Sequence, residues 1–188
     1  MNSYKIIKYT SEHYQMWNNF VAQAKNATFL FHRDFMEYHS DRFEDYSLLV
    51  FKDDKLISIL PANRVGDTLF SHHGLTYGGI VIDASLKLEK FIAIYAEILH
   101  FLNENQIQII NFKLIPSIYC SQPSEEIKYA LFLSEAKLAR RDALVTIDLQ
   151  SQFKIDSNRI EGVKRAEKLG LTIRKETDFT GFWNTVLI

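Results

Sequence analysis

The sequence predicts an α/β domain of the α+β type, in which a mixed and mostly antiparallel sheet is flanked by helices. Two apolar runs, 45–50 and 56–60, surround the charged turn KDDK, which is typical of a β-hairpin. A strand at 79–83, an amphipathic helix at 86–103 and a β-branched strand at 107–115 follow in that order. Hairpins that precede a strand–helix–strand segment favour a mixed layer.

The other elements rest on spacing, caps and breakers. Tyr14, Trp17, Val21 and Ala24 recur at helical spacing after Ser11, a suitable N-cap. Gly170 is a natural C-cap for a basic amphipathic helix. In chain order these patterns predict strand 4–8, helix 11–25, helix 33–43, strand 68–71, helix 124–133, strand 143–149, helix 158–169, strand 171–175 and helix 179–188.

The domain organisation is predicted from the same patterns. Residues 1–155 form one domain, and residues 156–188 supply a basic helix, a strand and the start of a second, incomplete domain. The chain ends within the apolar run FWNTVLI, whereas natural termini are usually polar. We therefore expect the 188 residues to be a fragment, or an unusually short version, of a longer protein.

Composition excludes several classes of protein. A hydrophobic content of 47% with 24% charged residues is ordinary for a soluble globular chain. The net charge of −1 gives no global reason to expect a nucleic-acid partner. A single cysteine, Cys120, excludes an internal disulfide and a multi-cysteine zinc site. Without a signal-like N-terminus or an apolar run long enough to span a membrane, the sequence predicts a cytoplasmic location.

The stretch SHHGLTYGG (71–79) raises the question of a metal or phosphate site. Adjacent His72 and His73 on a strand would point to opposite faces, and no further ligand stands at a suitable spacing. We expect no metal. One histidine can pack inward while the other is solvated, or one can act as a base or hydrogen-bond a substrate.

The glycines of this stretch match neither G-x-G-x-x-G nor a P-loop. Gly78 and Gly79 lie in strand-like sequence, where a glycine doublet marks a bulge or the close approach of another backbone or a ligand. A bulge required for packing is one reading. The other is a splay between strands that frees N–H groups for a ligand, as in acyl-CoA-binding folds.

A basic segment, RIEGVKRAEKLGLTIRK, begins at Arg159 and contains Lys164, Arg165 and Lys168 close together. It is either a solvated helix face or a surface for an anionic group of a substrate or an RNA end. The sequence contains no recognisable pattern of a Ser–His–Asp, Cys–His or paired-carboxylate site, so it assigns no catalytic residue.

Three segments are considered together: FLFHRDFMEYHSDRFEDYSLLVF (29–51), LPANRVGDTLFSHHGLTYGGIVID (60–83) and RIEGVKRAEKLGLTIRKETDFTGFWNTVL (159–187). They resemble bacterial proteins of the FemAB-like branch of the GNAT superfamily. The stretch KLIPSIYCSQPSEEIKYALF (113–132) is also similar, so the resemblance covers nearly the whole chain. The chain departs from that pattern in stopping at Ile188 and in lacking the R/Q-x-x-G-x-G/A loop of a standard GNAT protein.

The resemblance implies a GNAT-like fold and transfer of an acyl group to an amine. The donor would be acetyl-CoA, another acyl-CoA or aminoacyl-tRNA, and the acceptor a small amine in a cell-envelope, amino-sugar or polysaccharide precursor. The implied partner is a missing C-terminal domain or a second subunit; tRNA as donor would be the sole nucleic-acid partner. Nine residues within the resembling segments are the candidates for substrate binding that the resemblance implies. They are His72, Tyr77, Gly78, Gly79, Arg33, Lys113, Arg159, Lys164 and Arg165.

Two other functions stay open at the level of the sequence. One is a non-catalytic GNAT-like module that binds a sugar nucleotide or a partner subunit. The other is nucleic-acid binding through the basic helix, which the net charge disfavours.

Overall fold

A computed structural model describes residues 4–38 and 40–186. The chain divides into two compact units, of which the first ends at Leu138 and the second begins at Ala139. The domain boundary between 155 and 156 stays a prediction.

The first unit contains all the described strands and four α-helices. The strands are β1 (Tyr4–Lys8), β2 (Glu44–Asp45), β3 (Leu48–Lys52), β4 (Lys55–Leu60), β5 (Asn63–Val65), β6 (Thr68–Phe70), β7 (Val81–Ile82) and β8 (Ile109–Asn111). The helices are α1 (Tyr14–Gln23), α2 (Arg33–Glu37), α3 (Leu88–Glu104) and α4 (Glu126–Leu133), with 3₁₀ turns at Ser11–His13, Phe29–Phe31 and Ser117–Tyr119.

The strands form two four-stranded sheets. The first has the order β1-β3-β4-β7 and is antiparallel throughout, and the second has the order β2-β5-β6-β8. In the second sheet only β6 and β8 run parallel. The predicted fold class, mixed and mostly antiparallel with flanking helices, is therefore confirmed.

Side chains on both faces of the first sheet are buried, because alternate residues of a strand point to opposite sides. Leu48 and Val50 belong to one apolar cluster and Leu49 to the other. Helix α3 covers the first face with Phe91, Ile94, Ile98 and Leu102. The opposite face is covered by residues of α1, α2 and the turn between them, namely Trp17, Phe31 and Met36.

The β3–β4 hairpin turns at two aspartates with left-handed backbones. Asp53 has φ +49° and Asp54 has φ +61°. Positive φ at both central residues is the conformation of a type I′ turn, whose twist matches that of the flanking strands. Aspartate tolerates this region better than most residues do, so KDDK closes the predicted hairpin without glycine.

The second unit contains α5 (Ser157–Lys168) and α6 (Thr180–Val186). The predicted strands at 143–149 and 171–175 are wrong, since the structure assigns no strand to either range. Alternating apolar residues provide a strand face, but a strand also needs a hydrogen-bonding partner, and no described residue supplies one. Among the described helices, none has the length and apolar character needed to cross a membrane.

Candidate functional site

A small pocket brings together two residues that the sequence analysis had selected separately, Arg33 and His72. It has a volume of about 30 Å³ and is called the Arg33–His72 pocket below. A cavity of this size holds a water molecule or a group of similar size, such as an ammonium. Its lining residues are Arg33, Met36, Glu37, Ser40, Phe43, Asp45 and His72.

Arg33 is the first residue of α2 and is only 2% exposed. Its Nη2 forms an ion pair with Asp45, and its Nε donates to Glu37 Oε1 at 3.0 Å. Nη1 donates to Ser47 Oγ at 3.3 Å. Since several of its donors already have partners, Arg33 orients two carboxylates at the pocket, and an anionic substrate would compete with both of them.

Tyr9 covers the guanidinium from one side. The Arg33 Cζ atom lies 3.7 Å from the centre of the Tyr9 ring, a cation–π contact. The Tyr9 hydroxyl donates to Glu37 Oε1 at 3.3 Å. Burial raises the pKa of this hydroxyl most, Arg33 lowers it and Glu37 raises it, so the tyrosine stays neutral beyond its usual range.

His72 reaches the pocket from an unusual backbone conformation. Its φ is +66°, and the side chain is buried, with its ring edge-to-face on Phe43 at 5.5 Å between centroids. A left-handed backbone at a residue other than glycine costs free energy, and such residues are concentrated at functional sites. His73 is exposed instead, and its ring stacks on Phe70 at 3.8 Å. Of the alternatives, the structure gives the arrangement with one histidine inside and one outside.

Tyr77 and Lys113 do not line this pocket, and both fasten the 71–79 stretch in place. The Tyr77 hydroxyl donates to Thr28 Oγ1 at 3.0 Å, and its ring stacks on Tyr119. The Lys113 ammonium donates to the Leu75 carbonyl at 2.7 Å. Their roles as substrate-binding residues stay predictions.

Gly78 is required by the close approach of another segment of backbone. Its N–H donates to the Lys113 carbonyl at 2.5 Å, and a Cβ added at Gly78 would lie 1.9 Å from the Ser71 carbonyl oxygen. Gly79 follows with φ +103°, a value that side chains rarely allow. Gly78 is therefore required for packing and Gly79 for its backbone conformation.

Gly78 also marks the point where two parallel segments separate. It forms a parallel bridge to Leu114, after which one segment continues into β7 and the other turns into the 3₁₀ helix at Ser117–Tyr119. The separation of these segments is called the β7–β8 gap below. It is the kind of splay that the glycine doublet suggested.

In this gap the side chain of Asn26 forms hydrogen bonds with the open edge of β7. The Asn26 Nδ2 donates to the Ile80 carbonyl at 2.9 Å, and its Oδ1 accepts from the Ile82 N–H at 2.9 Å. Lys25 adds a third bond, from its N–H to the Ile82 carbonyl at 3.3 Å. These two residues therefore occupy hydrogen-bonding positions that an extended ligand with amide groups would use.

Lys25 is itself held firmly at 5% exposure. Its ammonium pairs with Glu126, the first residue of α4, and its carbonyl accepts from the Ser121 N–H at 2.8 Å. Sequence reasoning missed Lys25 and Asn26, because polar residues at the end of a helix are normally solvated. No spacing or motif in the sequence distinguishes them.

Within the second unit, α5 carries the predicted basic residues. Asp156 caps it by accepting from the Asn158 N–H at 2.9 Å. Arg159, Lys164 and Arg165 are exposed. At about 100° per residue, Arg159 lies roughly 140° around the helix from Lys164. The helix therefore groups Lys164 with Lys168 and directs Arg159 elsewhere.

No three His, Cys, Asp or Glu side chains are arranged to hold a metal ion within residues 4–38 and 40–186. Cys120 is half-buried, and burial is the main reason that its thiol has a raised pKa. A raised pKa disfavours the thiolate that a nucleophile requires.

Comparisons with known proteins give structural similarities alone. No protein-family model matches the chain, and no curated protein matches it in sequence. The ribosomal-protein-S18-alanine N-acetyltransferase from Escherichia coli is similar over 57% of this chain and 66% of its own, with 11% identity and a TM-score of 0.41. The chain thus spans slightly less than two thirds of that enzyme.

Two aminoglycoside acetyltransferases are also similar in structure. The aminoglycoside N-acetyltransferase AAC(6')-Iy, in complex with CoA, is covered over 97% of its chain and 79% of this one, with 11% identity and a TM-score of 0.46. The aminoglycoside antibiotic 6'-N-acetyltransferase AAC(6')-IG from Acinetobacter haemolyticus, in its apo form, is covered over 99% of its chain and 81% of this one. Its sequence identity is 13% and its TM-score is 0.44. Similarity at this level does not show membership of a family.

Proposed function

We propose that the chain belongs to an N-acyltransferase that transfers an acyl group to an amine. The donor is acetyl-CoA, another acyl-CoA or aminoacyl-tRNA, and the acceptor is an amine of a cell-envelope, amino-sugar or polysaccharide precursor. The observation that carries the proposal is the β7–β8 gap, in which two parallel segments joined by α3 separate at the Gly78–Leu114 bridge. The acceptor class rests on the sequence resemblance.

The Arg33–His72 pocket is where we place the acceptor amine. The carboxylates of Glu37 and Asp45 are about two-fifths exposed and attract an ammonium, while Arg33 fixes their positions. The amine must lose a proton before it attacks the acyl carbonyl carbon, and a buried imidazole such as that of His72 is a suitable acceptor for it. The new C–N bond then replaces the bond to the donor's sulfur or oxygen, which leaves as a thiol or an alcohol.

Asn26 favours a second candidate, a non-catalytic module that binds a sugar nucleotide or a partner subunit. With Asn26 bonded to Ile80 and Ile82, the edge of β7 is already satisfied and gives a pantetheine-like chain nothing to pair with. On the acyltransferase proposal, the donor must displace Asn26 or bind without using this edge.

Calorimetric titration of the native chain with acetyl-CoA, a longer acyl-CoA and aminoacyl-tRNA separates these functions. Saturable binding of one donor supports the acyltransferase, and Asn26→Gly should tighten it if the β7–β8 gap is the donor site. Binding of none of the three overturns the acyltransferase, and binding of a uridine diphosphate sugar instead supports the module.

The acceptor pocket is tested by activity. His72→Asn, which suits the left-handed backbone, should abolish acylation of an amino-sugar acceptor and leave donor binding unchanged. His73→Asn is the matched control, since His73 is exposed and stacks on Phe70 outside the pocket. Equal activity of the two variants would remove His72 from the mechanism.

A further inference from the structure

A larger cavity, of about 330 Å³, lies at the turn of the β3–β4 hairpin and shares no lining residue with the Arg33–His72 pocket. Its floor is apolar, since Ile57 and Leu86 are each 8% exposed. Its volume is within the range of small-molecule sites, roughly 300–1,000 Å³. It is called the hairpin cavity below.

The hairpin cavity lies on the side of β7 away from the β7–β8 gap. Its lining residues come from β1, β3, β4 and their turn, from the segment that joins β7 to α3, and from the start of α3. The sheet order β1-β3-β4-β7 places those strands on one side of β7. The gap opens on the other side, where Asn26 bonds to β7. The two sites are separate.

Charged side chains surround the cavity, three lysines and two aspartates. One aspartate, Asp83, has its partners within the chain. Its Oδ1 accepts from the N–H of Ser85 at 2.8 Å and from the Ser85 hydroxyl, and its Oδ2 lies 3.5 Å from the Lys55 ammonium. Asp83 and Lys55 therefore offset each other's charge.

The other two lysines of the cavity, Lys52 and Lys90, form no ion pair with a carboxylate of the described residues. Neither has a carboxylate within 4.0 Å among residues 4–38 and 40–186. Lys52 is half-buried at the end of β3, and Lys90 is in the first turn of α3. The remaining charge, that of Asp53, is on the hairpin turn, so the cavity as a whole carries a net charge of about +1 when lysines and aspartates are ionised.

We propose that the hairpin cavity binds the phosphate group of a soluble small molecule, with Lys52 and Lys90 supplying the ammonium groups. A phosphate ester carries about two negative charges at neutral pH and accepts hydrogen bonds on three oxygens, and lysine binds such groups as a point charge. The apolar floor takes the organic part of the ligand. The proposal does not depend on acyl transfer.

The test is a titration of the full ¹⁵N-labelled chain with inorganic pyrophosphate, followed by NMR at constant ionic strength so that screening does not change. We expect saturable shifts at the amides of Lys52, Asp53 and Ser85. The double variant Lys52→Gln/Lys90→Gln should bind at least about fivefold more weakly. Lys87→Gln is the control, because Lys87 is exposed in the same segment but does not line the cavity.

Asp53→Asn provides a test in the opposite direction. It removes a negative charge from the cavity and keeps a residue that tolerates φ +49°, so pyrophosphate should bind more tightly. Circular dichroism melting checks that each variant is folded. The proposal is overturned if the native chain shows no saturable shift, if Lys87→Gln weakens binding as much as the double variant, or if vesicles of phosphatidic acid bind and pyrophosphate does not.

Discussion

Asn26 donates from its side chain to the carbonyl oxygen of Ile80, at 2.9 Å, where a neighbouring strand would otherwise bond. The same carboxamide accepts from the N–H of Ile82, which lies on the same edge of that strand. One side chain thus completes the edge of β7 beyond the Gly78–Leu114 bridge. It also occupies the place in which the proposed donor would be held.

Asn26→Ala should lower the free energy of unfolding by about 2–4 kcal/mol, because it leaves two buried backbone groups without partners. Ile80 is 2% exposed and Ile82 is 1% exposed, so water cannot easily replace the lost bonds. Urea unfolding measures the change. Asn19→Ala, at an exposed site on α1, is the control and should stay within about 0.5 kcal/mol of the native chain. Equal losses for both variants would contradict this account of the β7 edge.

Gly78→Ala should destabilise the first unit by about 3 kcal/mol or more, since the new Cβ would lie 1.9 Å from the Ser71 carbonyl and force the backbones apart. Thermal unfolding followed by circular dichroism tests it. Gly162→Ala is the counterpart in α5, where nothing lies within 4 Å of an added Cβ. That change should be neutral or stabilise the helix by up to about 1 kcal/mol.

Arg33→Lys should cost about 1–3 kcal/mol, because an ammonium cannot bond to Asp45, Glu37 and Ser47 at once or lie flat on Tyr9. The cost is limited, since both carboxylates are about two-fifths exposed and regain water. Chemical denaturation measures it. Arg42→Lys, on an exposed arginine 3.9 Å from Asp41, should have no measurable effect, and a similar loss there would argue against the buried network.

Protonation of Asp83 should make the stability of the folded protein depend on pH in the acid range. Hydrogen bonds from the Ser85 side chain hold the pKa of the Asp83 carboxyl below its ordinary value of 3.8, and Lys55 acts in the same direction. A lowered pKa in the folded state contributes stability that is present above pH 3.8 and is lost as the pH falls through the folded value. Asp83→Asn should therefore flatten the fall of the melting temperature below about pH 4.

Ser85→Ala removes the largest cause of that shift and should act in the same way as Asp83→Asn. Melting temperatures measured from pH 6 to pH 2.5 compare the three proteins. A native chain whose acid dependence matches that of Asp83→Asn would show that the Asp83–Ser85 bonds do not contribute.

Trp183→Glu should increase the soluble fraction of the protein on expression. In the second unit, Phe179, Phe182 and Trp183 are each more than half exposed, and clustered exposed rings promote association. Light scattering at increasing concentration provides the measurement. Asn184→Glu adds the same charge without removing a ring, so an equal gain from that variant would assign the effect to charge alone.

Much of the fold follows from local pattern. The KDDK hairpin, the long amphipathic α3 and the strand at Tyr4–Lys8 were predicted from periodicity and turn chemistry, because each is specified by residues near one another in the chain. The predicted strands at 143–149 and 171–175 fail for the complementary reason. Their alternation specifies a face, but strand formation depends on a distant partner that the local sequence does not encode.

The same division applies to the candidate site. The sequence selected His72 and Arg33 as polar residues within the segments that carry the resemblance, and inward packing of one histidine was one of the arrangements that it left open. Tertiary structure alone decided that these two residues share a pocket and that Arg33 is already bonded to Asp45 and Glu37. It alone revealed Asn26, because a side chain that completes a sheet edge 54 residues away depends on the packing of the whole unit.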